Sequence, residues 1–167
     1  MDRQPDLRGK LVRVAPTPAD DYAALYAVAA DPAIWDQHPA HDRWQEPVFR
    51  AFFDEGLATG GMLTIRDAAD GAVIGATRYV PAGAAAVEIG WTFLARTHWR
   101  RGYNRELKRL MIDHALAQMD AVRFSAGADN HRSRRAIEAL GATQLPDAMV
   151  VRGGQTVPRV IYELRRP

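Results

Sequence analysis

The stretch from residue 86 to residue 119 constrains this chain more than any other. Ala86-Val87-Glu88-Ile89-Gly90-Trp91-Thr92-Phe93-Leu94 reads as a strand, and Tyr103, Leu107, Leu110, Met111 and His114 recur on one face of a helix spanning 103–119. Between them lies Ala95-Arg96-Thr97-His98-Trp99-Arg100-Arg101-Gly102-Tyr103-Asn104, a turn with three arginines and a glycine. A strand that passes through such a turn into a helix leaves free backbone N–H groups at the positive end of the helix dipole, where an anion is held best. A short strand at Val122–Ala126 then completes a parallel crossover. Ligands of such units sit at the carboxyl ends of the strands. A polyphosphate docked on this turn would lie beside the strand that carries Glu88.

The remaining segments fix the fold class. Lys10–Val14 reads as a first strand, ended by Pro16. Thr17 or Asp20 is placed to cap a helix whose Tyr22, Leu25, Tyr26 and Ala29 share a face, and Asp31-Pro32 stops it. Residues 32–46 are irregular. Val48, Phe49, Phe52, Phe53 and Leu57 give a second helix, closed by Gly60-Gly61. Met62–Arg66 and Val73–Val80 form a hairpin around Asp70-Gly71. Asn130–Leu140 is a helix with Asn130 at its N-cap and Gly141 past its end. Met149–Arg152 and Val157–Leu164 pair across Gly153-Gly154. The order β α α β β β α β α β β predicts a mixed α/β (α+β) domain over residues 1–167, mostly antiparallel with one central βαβ crossover. No internal repeat or linker divides it.

Charge is distributed unevenly around a net of +2. Residues 1–60 carry six Arg/Lys against ten Asp/Glu, whereas residues 96–135 carry ten against four. One region suits a cation and the other a polyanion. With no cysteine there is no disulfide framework, thiolate nucleophile or cysteine zinc site. No apolar run approaches the roughly 18 residues of a membrane span, and Met1-Asp2-Arg3-Gln4 opens no apolar leader, so the expected location is cytoplasmic.

The order of elements and the turn after the fourth strand resemble the GNAT superfamily of N-acetyltransferases, closest to its branch acting on ribosomal-protein N-termini. The family's pyrophosphate loop, Q/R-x-x-G-x-G/A, falls on Trp99-Arg100-Arg101-Gly102-Tyr103-Asn104. Gly102 matches, Trp99 replaces the opening Gln/Arg, Asn104 replaces the closing Gly/Ala, and Arg100 stands where this branch often has a further glycine. Glu88-Ile89-Gly90-Trp91 before the loop, and Asn130-His131-Arg132-Ser133 with Ala136–Ala142 after it, extend the likeness. The specific part covers residues 86–142.

The resemblance implies that acetyl-CoA is the cosubstrate and a primary amine, such as a peptide N-terminus, the acceptor. It implies that Arg100, Arg101, Gly102, Tyr103, Asn104 and Arg105 hold the phosphates. Asn130 and Ser133 would reach the pantetheine amide and a phosphate. Trp91, Thr92 and Phe93 would lie along the arm, on a strand splayed from its neighbour, with backbone amides on the thioester carbonyl. It also leaves Ile137 where many relatives carry a tyrosine that protonates the leaving thiolate. A homodimer is frequent among such relatives.

From the residues themselves, the loop can equally be an arginine-rich solvated helix start. Glu88 is the sole ionisable side chain between Ala84 and Leu94. Strict alternation sets it with Gly90 and Thr92, opposite Val87, Ile89, Trp91 and Phe93. Gly90 suggests a bulge or a close backbone approach. A carboxylate there suits removal of a proton from an amine, and equally suits an ion pair with an arginine such as Arg78. Trp35, His38 and Asp42, in the irregular segment with Asp36, His41 and Trp44, suit a cationic amine; the alternative is surface charge and core tryptophan. Metal ligation by His38, His41 and Asp42 lacks the spacing of a helix-borne site.

Three function classes follow. The first is direct acetyl transfer within a ternary complex, with no covalent enzyme intermediate because no Ser-His-Asp arrangement is evident. The second is a non-catalytic acyl-CoA sensor. The third is a nucleic-acid binder using the basic stretch 96–135, ranked last because that stretch lacks interleaved exposed aromatics.

Overall fold

The computed structural model describes residues 1–166 apart from Pro39, Asp147, Gly153 and Gly154. Among the described residues nine strands form a single sheet flanked by four α-helices. In chain order they are β1 (Leu7–Arg8), β2 (Val12–Pro16), α1 (Tyr22–Ala29), α2 (Glu46–Ala58), β3 (Met62–Asp67), β4 (Val73–Pro81), β5 (Ala86–Leu94), α3 (Tyr103–Leu116), β6 (Ala121–Gly127), α4 (His131–Glu138), β7 (Thr143–Gln144), β8 (Ala148–Arg152) and β9 (Gln155–Arg165). The sheet runs β1-β2-β3-β4-β5-β6-β9-β7, with β8 also on β9, and only β5–β6 is parallel. This is the expected mixed fold with one crossover. Two short strands, β1 and β7, go beyond the expectation; two residues carry no periodicity to read. The expected turn at Gly153-Gly154 lies outside the described residues.

Each face of the sheet has its own core. On one side Leu107, Met111 and Ala115 of α3 and Ile137 of α4 pack on Val14, Ile65, Tyr79, Val87, Ile89 and Phe124. On the other, Leu25 and Ala29 of α1 and Phe49, Phe52 and Phe53 of α2 pack on Met62, Ala76 and Phe93. Phe49 is central there, with its ring 5.6 Å from Tyr26 and 6.0 Å from Phe93. The first helix is not capped as the sequence suggests. Its N-cap is Asp21, without a side-chain cap bond, because Thr17 instead receives the hydroxyl of Thr64 and Asp21 pairs with Arg66.

Strict alternation fails in β5, and the failure matters. Arg78 of β4 faces Gly90, but Ala76 faces Phe93, so Thr77 stands opposite both Trp91 and Thr92. This is a β-bulge, and Trp91 takes the left-handed backbone conformation at φ 52° that bulky side chains rarely adopt. The extra residue reverses the faces beyond it. Val87, Ile89 and Leu94 belong to the α3 side, whereas Trp91 and Phe93 pack on the α1–α2 side. Thr92 therefore turns towards α3, opposite to the expected placement with Glu88. The glycine signal at residue 90 points to the right place, one residue early.

Replacing Phe49 with Ala should remove the ring that ties α1 and α2 to β5. Urea unfolding is expected to show a loss of about 3–5 kcal/mol, the range for a buried phenylalanine, with two-state behaviour retained.

Candidate active site

β5 stays beside β6 for three residue pairs only, Ala86↔Ala121, Val87↔Val122 and Glu88↔Arg123. Past Glu88 the strands part. The opening belongs to a cavity of about 870 Å³ lined by Glu88–Leu94 on one strand and Phe124–Gly127 on the other. Its remaining walls come from the loop before α3, from α3 and α4, from Ile34, Trp35, Gln37 and His38, and from Arg159 of β9.

The loop has the backbone that an anion site requires. Arg100 (φ 59°) and Gly102 (φ 89°) both take the left-handed conformation, and Gly102 is the N-cap of α3. Alternating backbone of this kind turns successive amides inward. The left-handed positions are Arg100 and Gly102, whereas Asn104, the departure from the motif, is helical and lines the cavity. Asp67, at the end of β3, clamps both ends of the loop. Its carboxylate accepts from Tyr103 Oη at 2.9 Å, meets His98 Nε2 at 3.1 Å and accepts from the Ala69 amide at 2.8 Å. The Ala69 amide leads in holding this carboxyl below the usual range. Thr97 Oγ1 lies 2.9 Å from His98 Nδ1, so a Thr97–His98–Asp67 chain exists that the sequence did not reveal. The adjacency of Thr97 and His98 makes it a brace for the loop.

The candidate residues divide as follows. Glu88, Trp91, Thr92, Phe93, Arg100, Gly102, Asn104, Arg105, Asn130 and Ser133 all line the cavity, as do Trp35 and His38. Tyr103 does not: its ring is buried in the core below the loop, leaving only its backbone at the turn. Arg101 is exposed outside the lining and donates to the Thr97 carbonyl. Asp42 is also exposed and outside it. Trp35 is buried, its indole N–H on the Ala29 carbonyl, while Trp44 is exposed. Asn130 Oδ1 accepts from the Ser133 amide, so it caps α4 while facing the cavity. The Glu88 carboxylate folds back along Gly90, 3.4 Å from where a Cβ would stand. Gly90 thus gives it room.

Four cations of the cavity were missed: Lys108, Arg132, Arg135 and Arg159. Arg132 stacks 4.3 Å from the Trp99 ring and donates to the Ile34 carbonyl, with burial drawing its pKa down. Arg159 reaches in from β9 onto Ser125. Arg132 and Arg135 lie in the Asn130–Ser133 block or next to it, so the motif signalled their neighbourhood. Nothing in the sequence signalled Arg159. Glu88 is the one carboxylate among the lining residues described, against Arg100, Arg105, Lys108, Arg132, Arg135 and Arg159. Such a lining fits a polyanion.

A family model for the acetyltransferase (GNAT) domain matches residues 11–143, most of the chain. The chain belongs to the GNAT acetyltransferase family. Solved GNAT relatives share its fold at low identity. A GCN5-related N-acetyltransferase from Brucella melitensis is 18% identical, with a TM-score of 0.82 over 97% of this chain and 79% of that one. A GNAT acetyltransferase from Bacillus anthracis is 13% identical, with a TM-score of 0.80 over 96% and 98%. A Vibrio cholerae protein assigned to ribosomal-protein-serine acetylation is 11% identical, with a TM-score of 0.76 over 99% and 100%. No curated protein matches the sequence. Among the described residues no three His, Asp or Glu side chains are grouped to hold a metal, and no helix is long and apolar enough to cross a membrane.

Lys108 is the unusual group of this GNAT site. It is 8% exposed, its Nζ donates to Thr92 Oγ1 at 2.6 Å, and it lies 6.0 Å from the Phe124 ring centroid. Burial brings its pKa down to about 7. Its unfolded value is near 10.4. The unfolded chain therefore binds this proton where the native chain has released it, and the native state gains stability as pH rises from about 7 to about 10.4. Replacing Lys108 with Met removes that dependence. The melting temperature of Lys108→Met, relative to wild type, is expected to be highest at pH 6–7 and to fall steadily towards pH 10.

Proposed function

We propose that the protein transfers an acetyl group from acetyl-CoA to a primary amine by direct attack within a ternary complex. One observation carries this reading. The anion-binding loop and the opened, bulged strand with its carboxylate face the same cavity. The amides at 101–104 hold the pyrophosphate, with Arg100 and Arg105 adding charge, and Arg101 acts from the rim on a 3′-phosphate. Asn130 and Ser133 meet the pantetheine. The arm lies between β5 and β6, where Trp91, Thr92 and Phe93 leave backbone groups without a β6 partner. Amides there polarise the thioester carbonyl, an oxyanion-type contribution that adds to proximity.

The acceptor approaches from the side of Trp35 and His38. Glu88 takes the proton of the amine, directly or through a water. Its position where the strands part favours this, because the carboxylate and the opening belong to the same few residues. The acceptor class we favour is a peptide N-terminus, as in the ribosomal-protein branch; the Vibrio cholerae relative, assigned to ribosomal-protein-serine acetylation, supports it only through the fold. A cytoplasmic location and a homodimer accord with that reading.

Calorimetry with acetyl-CoA tests the site. Micromolar binding is expected, abolished by Gly102→Trp with Arg105→Glu. Binding absent at millimolar ligand removes the reading. Thiol release is then followed with a ribosomal-protein N-terminal peptide, a free amino acid, a polyamine and an aminoglycoside. Glu88→Gln is expected to lower kcat about a hundredfold, within the usual reach of general-base catalysis, with little change in acetyl-CoA affinity. Binding without turnover of any amine would make the protein an acyl-CoA sensor.

A further inference from the structure

We infer that Lys108 is the proton donor to the coenzyme A thiolate, an inference that rests on the acetyl-CoA reading of this cavity. The place a tyrosine would occupy holds Ile137, an apolar side chain that also lines the cavity. Lys108 occupies the opening itself. It reaches from α3 to Thr92 on one parted strand, and the Phe124 ring of the other parted strand lies beside it. Whatever threads between β5 and β6 passes this ammonium group.

The bulge is what makes the contact. Without the extra residue Thr92 would face α1 and α2; with it, the Thr92 hydroxyl meets both Lys108 Nζ and Thr77 Oγ1, the latter at 2.8 Å. This holds the amine on the α3 side, the side of the phosphate loop. Glu88 points to the opposite face of β5, set by Val87 and Ile89 in the α3-side core. The two titratable groups thus serve opposite ends of the reaction. The amine lone pair forms the C–N bond, the C–S bond breaks with its pair on sulfur, and a proton passes from Lys108 Nζ to that sulfur. Glu88 takes the amine's proton. Lys108 regains one from solvent before the next turnover.

Residue choice supports the role. The chain has 20 arginines and two lysines, Lys10 and Lys108. An arginine cannot give up its proton in a protein, whereas a buried lysine titrates readily. Burial alone accounts for the lowered pKa of Lys108, near 7. A donor of that acidity protonates a thiolate of pKa near 8.5 downhill. The charged or titratable groups that share the cavity are Glu88 of β5, His38, the loop's His98 and Arg100, Arg105 of α3, Arg132 and Arg135 of α4, and Arg159 of β9; β6 adds none.

The test uses free coenzyme A bound to the whole protein, and follows thiolate absorbance near 232 nm against pH. In Lys108→Arg, whose charge cannot be given up, the bound thiol is expected to ionise about one pH unit or more lower than in wild type, a tenfold change in the thiolate ratio. In wild type the thiol is expected to stay protonated up to the pH found for Lys108→Met, because the lysine passes its proton to the sulfur. If both variants bind coenzyme A and the wild-type thiol ionises as low as in Lys108→Arg, or at one pH in all three proteins, the donor role is overturned while the acetyl-CoA site stands. If wild type binds no coenzyme A, the acetyltransferase reading falls, and the donor role falls with it.

Discussion

The separation of β5 from β6 past Glu88 is the constraint on which the site depends. Parallel strands ordinarily satisfy each other's backbone groups along their length. Here the pairing ends after three residue pairs, and β5 continues bonded to β4 alone. A sheet opened in its interior costs backbone hydrogen bonds that only solvent or a ligand can replace. The helices make the opening durable. α3 and α4 cover one face and α1 and α2 the other, and on the α3 side one core spans the gap, joining Ile89 and Leu94 of β5 to Phe124 and Ala126 of β6.

The bulge at Trp91 is the second half of the same device. It turns Thr92 to the α3 side and Trp91 to the α2 side, where Arg78 lies 5.8 Å from the indole. A left-handed tryptophan is a strained choice. Trp91 packs, partly buried, against the cluster that holds Phe49, Phe52 and Phe93. One inserted residue thereby turns Thr92 to the face opposite Glu88, where it meets Lys108 of α3.

The sequence told most where local chemistry is strong. The strand–loop–helix at 86–116, the hairpin at Gly71 and the Asn130 cap were legible because glycines, caps and helical stripes announce themselves within a few residues. The face reversal in β5 was not, because alternation is read by counting and a bulge changes the count. Lys108 was hidden for a related reason. On a helical wheel it is one more cation beside Leu107, and only the turn of Thr92 towards α3 gives its ammonium a partner. Arg159 was hidden because it arrives from 34 residues away to bond Ser125, a pairing set by the β6–β9 register alone. Tyr103 and Arg101 lay within the right motif, yet side-chain direction set one in the core and the other on the rim.

The sheet can also be regarded as two panels, β1 to β5 and β6 to β9, fastened along one short seam. A ligand wedged beyond the seam would bond to both panels and stand in for the missing strand. Its binding energy would then enter the stability of the whole fold by mass action. The empty and loaded proteins would differ less in shape than in stiffness, with the panels behaving as a book that the ligand holds at one page.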